Sequence, residues 1–66
     1  MEFEIREEET IRHSNGVVEV KETVLARRPK DQIKDKYHDL GVGHRRNMYE
    51  GEDFSGDRIY SVVRVK

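Results

Sequence analysis

The sequence predicts an α+β domain in the order antiparallel β-hairpin, short helix, long loop and C-terminal strand (ββαβ). Two segments of alternating side chains flank Asn15-Gly16, and Asn-Gly between such segments is the strongest short-range signal for a β-hairpin. Pro29 follows the second segment and is expected to end that strand, because proline lacks a backbone donor. The chain has 66 residues, which predicts a single small domain over residues 1–66.

The turn chemistry predicts the register of the hairpin. We expect Asn15 and Gly16 to be the central residues of a two-residue type I′ turn. Glu4 then faces Arg27, Ile5 faces Ala26, Arg12 faces Glu19 and Thr10 faces Lys21. Opposite charges on facing strands stabilise a sheet, so the charged pairs agree with this register.

The same register creates a conflict on the apolar face of the hairpin. Glu9 lies opposite Glu22 there, and Glu7 shares that face. Like charges directly opposite each other destabilise a sheet, and buried carboxylates without partners cost more. A β-bulge near residues 7–9 would relieve the conflict, as would a hairpin whose middle stays in water. Basic residues from this chain or from a second copy would also relieve it.

The second half of the chain contains one helical pattern. Ile33, Tyr37 and Leu40 fall at i, i+4 and i+7, which predicts a helix of about three turns over residues 30–40. Gly41 suits the position after a helix C-terminus. Four glycines within residues 41–56 predict a long loop that is either functional or mobile.

The last segment, residues 57–66, alternates again and predicts a strand. We expect this strand to lie beside the first strand of the hairpin and antiparallel to it. Met48, Tyr49 and Phe54 are the side chains expected to hold the preceding loop against the domain.

Composition restricts the classes of protein. Only 33% of the residues are hydrophobic and 41% are charged, so the core is small and a homodimer or a protein partner would bury further surface. There is no cysteine, which excludes disulfides and thiolate metal sites. We expect no cofactor, no metal and no membrane partner, and the absence of a signal-like segment predicts a cytoplasmic location.

An acidic surface on the hairpin is the first candidate site. Residues 1–26 contain seven acidic and three basic side chains. We predict a non-enzymatic binding module whose sheet edge and acidic side chains contact a protein partner, as an inhibitor, adaptor or regulator. The predicted contact residues are Glu4, Glu7, Glu8, Glu9, Glu19 and Glu22. The competing interpretation is a charged edge that only prevents aggregation.

A basic segment over residues 27–46 is the alternative site, because it contains seven basic and three acidic side chains. Cationic groups neutralise phosphates and aromatic rings stack on bases, so this segment predicts binding to RNA or single-stranded DNA. The residues concerned are Arg27, Arg28, Lys30, Lys34, Lys36, His44, Arg45, Arg46 and Tyr49. The interleaved aspartates equally predict a solvated helix with internal charge pairs.

Histidine and arginine are also the residue types of a small ribonuclease, in which they transfer protons and stabilise a phosphorane-like transition state. His38 and His44 would be the acid and base, with Arg45, Arg46 and Tyr49 nearby. Their spacing is not diagnostic of any catalytic or metal-binding motif. We therefore predict no enzymatic activity, and no motif in the sequence fixes the function.

Overall fold

A computed structural model describes residues 1–48 and 57–66. In these residues the chain forms four β-strands and two 3-10 turns, with no α-helix. The strands are β1 (Glu2–Arg12), β2 (Val18–Pro29), β3 (Arg45–Asn47) and β4 (Arg58–Arg64). They form one antiparallel sheet in the order β2-β1-β4-β3. The predicted α+β class is therefore wrong, and the described chain is a small all-β structure.

The hairpin between β1 and β2 has a different turn from the predicted one. Gly16 has a φ of 85°, whereas Asn15 does not have a positive φ, and a type I′ turn requires positive φ at both positions. The Gly16 N–H donates to the His13 carbonyl (3.1 Å), and the His13 N–H donates to the Val17 carbonyl (2.9 Å). The loop thus has three residues and ends on a left-handed glycine, a common hairpin alternative.

The longer loop shifts the register of the outer half of the hairpin, which consists of residues 6–12 of β1 and residues 18–24 of β2. Glu9 lies opposite Lys21 and not opposite Glu22, and Arg12 lies opposite Val18. Glu9 and Glu22 therefore do not face each other as predicted, and Glu22 instead faces Glu8. The predicted partners return nearer the chain terminus, where Glu4 faces Arg27.

A β-bulge joins the two halves of the hairpin. Ile5 faces Ala26 whereas Arg6 faces Val24, so Leu25 is an extra residue in β2. A bulge was one of the arrangements expected to relieve the charge conflict, but it lies in the second strand and not near residues 7–9. The position of the bulge decides on which face of the sheet each side chain of the outer half of β2 lies.

The bulge reverses the faces of β2. We call the sheet face that carries Phe3 and Val62 the core face and the opposite face the open face. Successive side chains in a strand alternate between faces, and the extra residue interrupts this alternation. In the outer half of β2, the even-numbered residues therefore lie on the open face. These residues are Val18, Val20, Glu22 and Val24.

The core consists of one side of the sheet covered by the segment after β2. Its buried side chains are Phe3, Ile33, Tyr37, Leu40 and Val62, and Met48 packs against them. The three apolar residues that predicted a helix are thus buried together, and the expected anchoring role of Met48 is confirmed. Tyr49 and Phe54 lie outside the described residues.

The helix predicted over residues 30–40 is wrong. The segment forms two 3-10 turns, Lys30–Gln32 and Asp35–Tyr37, separated by extended backbone at Ile33 (φ −115°, ψ 139°). The His38 ring lies close to the carbonyls of Lys30 (2.9 Å) and Ile33 (2.7 Å). Carbonyl oxygens only accept, so the ring Nε2–H donates to both and takes the place of the N–H groups that an α-helix would supply.

The loop predicted over residues 41–56 contains a strand that the sequence did not indicate. β3 pairs with β4, so that Arg45 faces Val63 and Asn47 faces Ser61. Residues 49–56 of that prediction lie outside the described residues. The C-terminal strand is confirmed: β4 lies antiparallel beside β1, with Phe3 opposite Arg64. None of the helical segments in the described ranges has the length and apolar composition needed to cross a bilayer.

Candidate functional site

The outer edge of β2 is the first feature that offers a binding surface. Among the described residues β2 pairs with β1 alone. The Thr10 N–H donates to the Asp57 carbonyl (2.8 Å), so the N–H and C=O groups of Thr10 point away from β2. When two facing residues of an antiparallel pair do not hydrogen-bond to each other, the N–H and C=O groups of both point away from the partner strand. Val20 faces Thr10, and its N–H and C=O therefore point outward from the sheet.

The same orientation recurs at every second residue of the outer half of β2, because main-chain direction alternates along a strand. Four residues therefore present outward N–H and C=O groups, and we call them the edge surface. They are Val18, Val20, Glu22 and Val24. A row of such groups is a template for pairing with another strand.

The side chains of the edge surface are unusually apolar for exposed positions. Val18, Val20 and Val24 are 59%, 63% and 51% exposed. The bulge residue Leu25 is also exposed and extends the apolar surface toward the base of the hairpin. Natural edge strands commonly carry charges or prolines that discourage pairing, and here three of the four outward residues are valines.

A row of ion pairs crosses the open face beside these valines. The Arg6 Nη2 atom lies 2.6 Å from the Glu4 carboxylate, and Arg6 Nη1 lies 3.7 Å from Glu22. Arg45 Nη1 donates to the Glu22 carboxylate at 2.7 Å. This hydrogen bond is the main cause that holds the pKa of Glu22 below its ordinary value. The carboxylate is therefore ionised at neutral pH and compensated within the chain.

The ion pairs border two buried residues of β4. Val63 and Ser61 are almost fully buried, although they lie on the open face. In the register Val63 lies between Glu4 of β1 and Arg45 of β3, so long charged side chains flank it on both sides. The Ser61 hydroxyl donates to the Asn47 side-chain oxygen (3.1 Å). The charged side chains thus close this part of the open face, whereas the valines of β2 remain uncovered.

The predicted acidic contact residues do not form one surface. Glu4, Glu8 and Glu22 lie on the open face, whereas Glu7, Glu9 and Glu19 lie on the face of Phe3. The placement follows from strand alternation and from the bulge.

Several of these carboxylates also have partners within the chain. Glu9 lies 3.0 Å from Arg58, and both Glu9 and Glu7 raise the pKa of Arg58 above its ordinary value. Glu19 lies 3.1 Å from the ring of His13. The conflict expected from the sequence is thus resolved partly by basic residues of the same chain.

The predicted basic site is divided in a similar way. Arg45 and Arg46 are consecutive in β3, so their side chains point to opposite faces of the sheet. Arg46 donates to both oxygens of Asp39 (2.9 and 3.1 Å), and this pair lowers the pKa of the Asp39 carboxyl. Arg27 pairs with Glu2, and its hydrogen bond lowers the pKa of that carboxyl.

The remaining basic residues are distributed along the segment after β2. Arg28 donates to the carbonyl of Arg27, and the Lys36 ammonium lies 5.2 Å from the centre of the Tyr37 ring. Lys30 lies in the first 3-10 turn and Lys34 between the two turns, and each has interactions within the chain. Tyr49 lies outside the described residues.

His38 and His44 make different contacts in the structure. His38 is held by the carbonyls of Lys30 and Ile33, and its Nδ1 atom lies 3.5 Å from Asp35. His44 precedes β3, where its N–H donates to the Gly41 carbonyl (3.0 Å). Residues 1–48 and 57–66 contain no group of three or more side chains that could hold a metal ion.

The edge valines are the candidate functional residues that the sequence argument missed. With the predicted two-residue turn, Val18, Val20 and Val24 would share the apolar face of the hairpin with Glu22. The three-residue loop and the bulge at Leu25 together place them on the open face. Comparison with known proteins adds no further assignment: no family model, curated protein or solved structure matches this chain.

Proposed function

We propose that this chain is a non-enzymatic binding module that captures a protein partner by adding an extended segment of that partner to β2. The supporting observation is the edge surface, where four successive outward residues combine exposed main-chain groups with exposed valines. In strand addition, main-chain hydrogen bonds supply affinity and alternate side chains supply specificity. The edge surface offers both kinds of contact.

The chemistry of the edge surface indicates which segment would fit. Side chains of an added strand alternate between the two faces of the sheet. Those on the open face would meet Val18, Val20 and Val24, which favours apolar residues at alternate positions. Those on the other face would meet Glu19 and Lys21, which favours polar or charged residues between them.

The energetic contribution of the valines is substantial for so small a surface. Full burial of a wholly exposed valine side chain contributes about 1.5–3 kcal/mol, and because these valines are 51–63% exposed each would contribute roughly half of that. The three valines therefore offset part of the roughly 4–15 kcal/mol that association costs in lost rigid-body freedom. The main-chain hydrogen bonds add to this and fix the direction of the added strand.

The acidic residues have a secondary role in this proposal. Glu4, Glu9 and Glu22 have cationic partners within the chain, so their charge is already compensated. Glu8 and Glu19 lie beside or within the outer half of the hairpin and would attract basic side chains of the partner. Such charges mainly accelerate encounter and fix register.

Nucleic-acid binding through residues 27–46 stays a separate prediction with less support. Its arginines on β3 point to opposite faces, and Arg27, Arg45 and Arg46 are paired with carboxylates. If the segment nevertheless binds RNA or single-stranded DNA, the affinity must fall steeply with salt. Failure to bind oligonucleotides at low salt would remove this alternative.

The decisive experiment changes one main-chain group of the edge. Val20→Pro removes an outward N–H without removing a donor from the β1–β2 ladder, and proline is tolerated at such positions of edge strands. The matched control Val20→Thr keeps the N–H and has high β-propensity. The wild type and both variants are used as baits in lysate with and without nuclease treatment, and circular dichroism verifies their folding.

We expect the wild-type chain to capture a protein partner, Val20→Thr to retain most of the capture and Val20→Pro to lose it. Equal capture by Val20→Pro and the wild type would overturn the proposed strand addition. Capture that disappears on nuclease treatment would favour the nucleic-acid alternative.

A further inference from the structure

We infer that the edge surface also pairs with the edge surface of a second copy of this chain, forming an antiparallel dimer centred on Val20. This inference rests on the proposed use of β2 as a docking edge and names one occupant for it. The direction of the main-chain groups and the order of charges along β2 both favour this pairing.

The main chain restricts the possible registers of such a dimer. Antiparallel strands exchange hydrogen bonds between residues whose N–H and C=O both point toward the partner strand. The outward residues of one copy must therefore face the outward residues of the other. Centring the pairing on Val20 places Val20 opposite Val20 and Val18 opposite Glu22 of the second copy.

The charges select this register over its neighbours. With Val20 at the two-fold axis, Glu19 lies opposite Lys21 of the second copy, and Lys21 lies opposite its Glu19. These are positions without hydrogen bonds between the facing residues, where side chains approach most closely. The sequence Glu19-Val20-Lys21 is therefore complementary to itself in the antiparallel direction.

Neighbouring registers lack this complementarity. Centring the pairing on Glu19, Lys21 or Glu22 places that charged residue opposite its own copy. Like charges directly opposite each other destabilise antiparallel strands. Registers centred beyond the outer half of β2 meet the bulge at Leu25, where the outward direction of the main chain changes.

The apolar side chains support the same arrangement. Val20 of each copy would cover the other on the open face, where it is 63% exposed in the single chain. A chain with so small a core gains from any further apolar burial. One added strand gives an interface below the roughly 1,200 Å² of stable complexes, so the dimer is expected to depend on protein concentration.

Sedimentation equilibrium over a wide concentration range tests the dimer. The wild-type mass is expected to rise from 7.8 kDa toward twice that value as concentration increases. Glu19→Lys alone and Lys21→Glu alone each place like charges at both paired positions, and each variant is expected to remain monomeric. The double variant exchanges the two charges and is expected to recover the dimer.

Mixing the two single variants gives a sharper test of register. An equimolar mixture of Glu19→Lys and Lys21→Glu is expected to form a heterodimer, although each variant alone stays monomeric. Circular dichroism of each variant provides the folding control, because Glu19 contacts His13 and Lys21 faces Glu9 within the chain. A monomeric wild type at all concentrations, or a mixture that stays monomeric, would overturn the inference.

Failure of this inference is distinguishable from failure of the proposed function. Self-association of the wild-type chain is measured by sedimentation and partner capture is measured in lysate, so the two results are obtained independently. A wild-type chain that captures a partner and remains monomeric overturns self-pairing alone. A wild-type chain that dimerises and captures no partner supports self-pairing and overturns the proposed function.

Discussion

Glu22 and Arg45 form an ion pair at 2.7 Å although they lie on the two outer strands of the sheet. Two strands separate them, so a flat sheet would place their main chains about 14 Å apart, or three strand spacings. Their side chains cross the open face to meet. The contact requires the bulge at Leu25, because only the bulge turns Glu22 to that face, and it also requires the short strand β3.

Stability is expected to fall in acid because of this pair and two others. The pKa of Glu22, Glu2 and Asp39 is lowered in the folded chain by hydrogen bonds from Arg45, Arg27 and Arg46. The unfolded chain therefore binds protons first as pH falls, and the folded state loses stability. For the two glutamates, the stabilisation of the folded state is fully present above their ordinary pKa of 4.5. It is lost as pH falls through their lower pKa in the folded chain.

Urea titrations between about pH 6 and pH 3 measure this effect as a falling midpoint. Glu22→Gln is expected to lower the midpoint at neutral pH and to flatten the decline in acid. An unchanged acid profile in Glu22→Gln would show that its pairing with Arg45 contributes nothing to stability.

The turn at Gly16 provides a test of the hairpin loop. Its φ of 85° lies in the left-handed region, and a Cβ atom added there would meet nothing within 4 Å. Gly16→Ala is therefore expected to cost about 1–2 kcal/mol through backbone strain and not through collision. Gly16→Asn should cost less, because asparagine tolerates this conformation. Equal stability of all three proteins in urea would contradict the assigned loop.

Removal of Leu25 tests the bulge. Val24 faces Arg6 and Ala26 faces Ile5, so deletion of the residue between them leaves a regular ladder with every other partner unchanged. We expect the deletion variant to keep the chemical-shift pattern of the sheet. Deletion of Lys21 is the matched control, since it moves half of β2 to the wrong face and is expected to unfold the hairpin. Similar spectra from the two deletion variants would contradict the assigned bulge.

Tyr37 places a polar hydroxyl in the apolar core. Its hydroxyl is buried and has no hydrogen-bond partner among the residues described. A buried polar group without a partner costs about 1–3 kcal/mol. Tyr37→Phe is therefore expected to be at least as stable as the wild type in urea, whereas Tyr37→Ala should lose about 3–5 kcal/mol. A marked loss in Tyr37→Phe would mean that the hydroxyl is hydrogen-bonded in solution.

The elements that depend on local chemistry could be predicted. Asn15-Gly16 lies in the hairpin turn, β2 ends at Pro29, and the C-terminal strand lies antiparallel to the first strand. Turn residues and strand alternation act over a few positions and are visible in the sequence. The burial of Ile33, Tyr37 and Leu40 was also visible in their spacing, although the backbone that carries them is not a helix.

The rest was decided by tertiary contacts. His38 competes for the carbonyls that an α-helix would need, and β3 contains no apolar residue and forms only beside β4. The distinction between two and three loop residues is small in local energy, yet it moves every partner in the outer hairpin by one position. With the bulge at Leu25, it turns Glu22 toward Arg45 and leaves the valines of β2 on an open edge, because one extra residue reverses the faces of a strand.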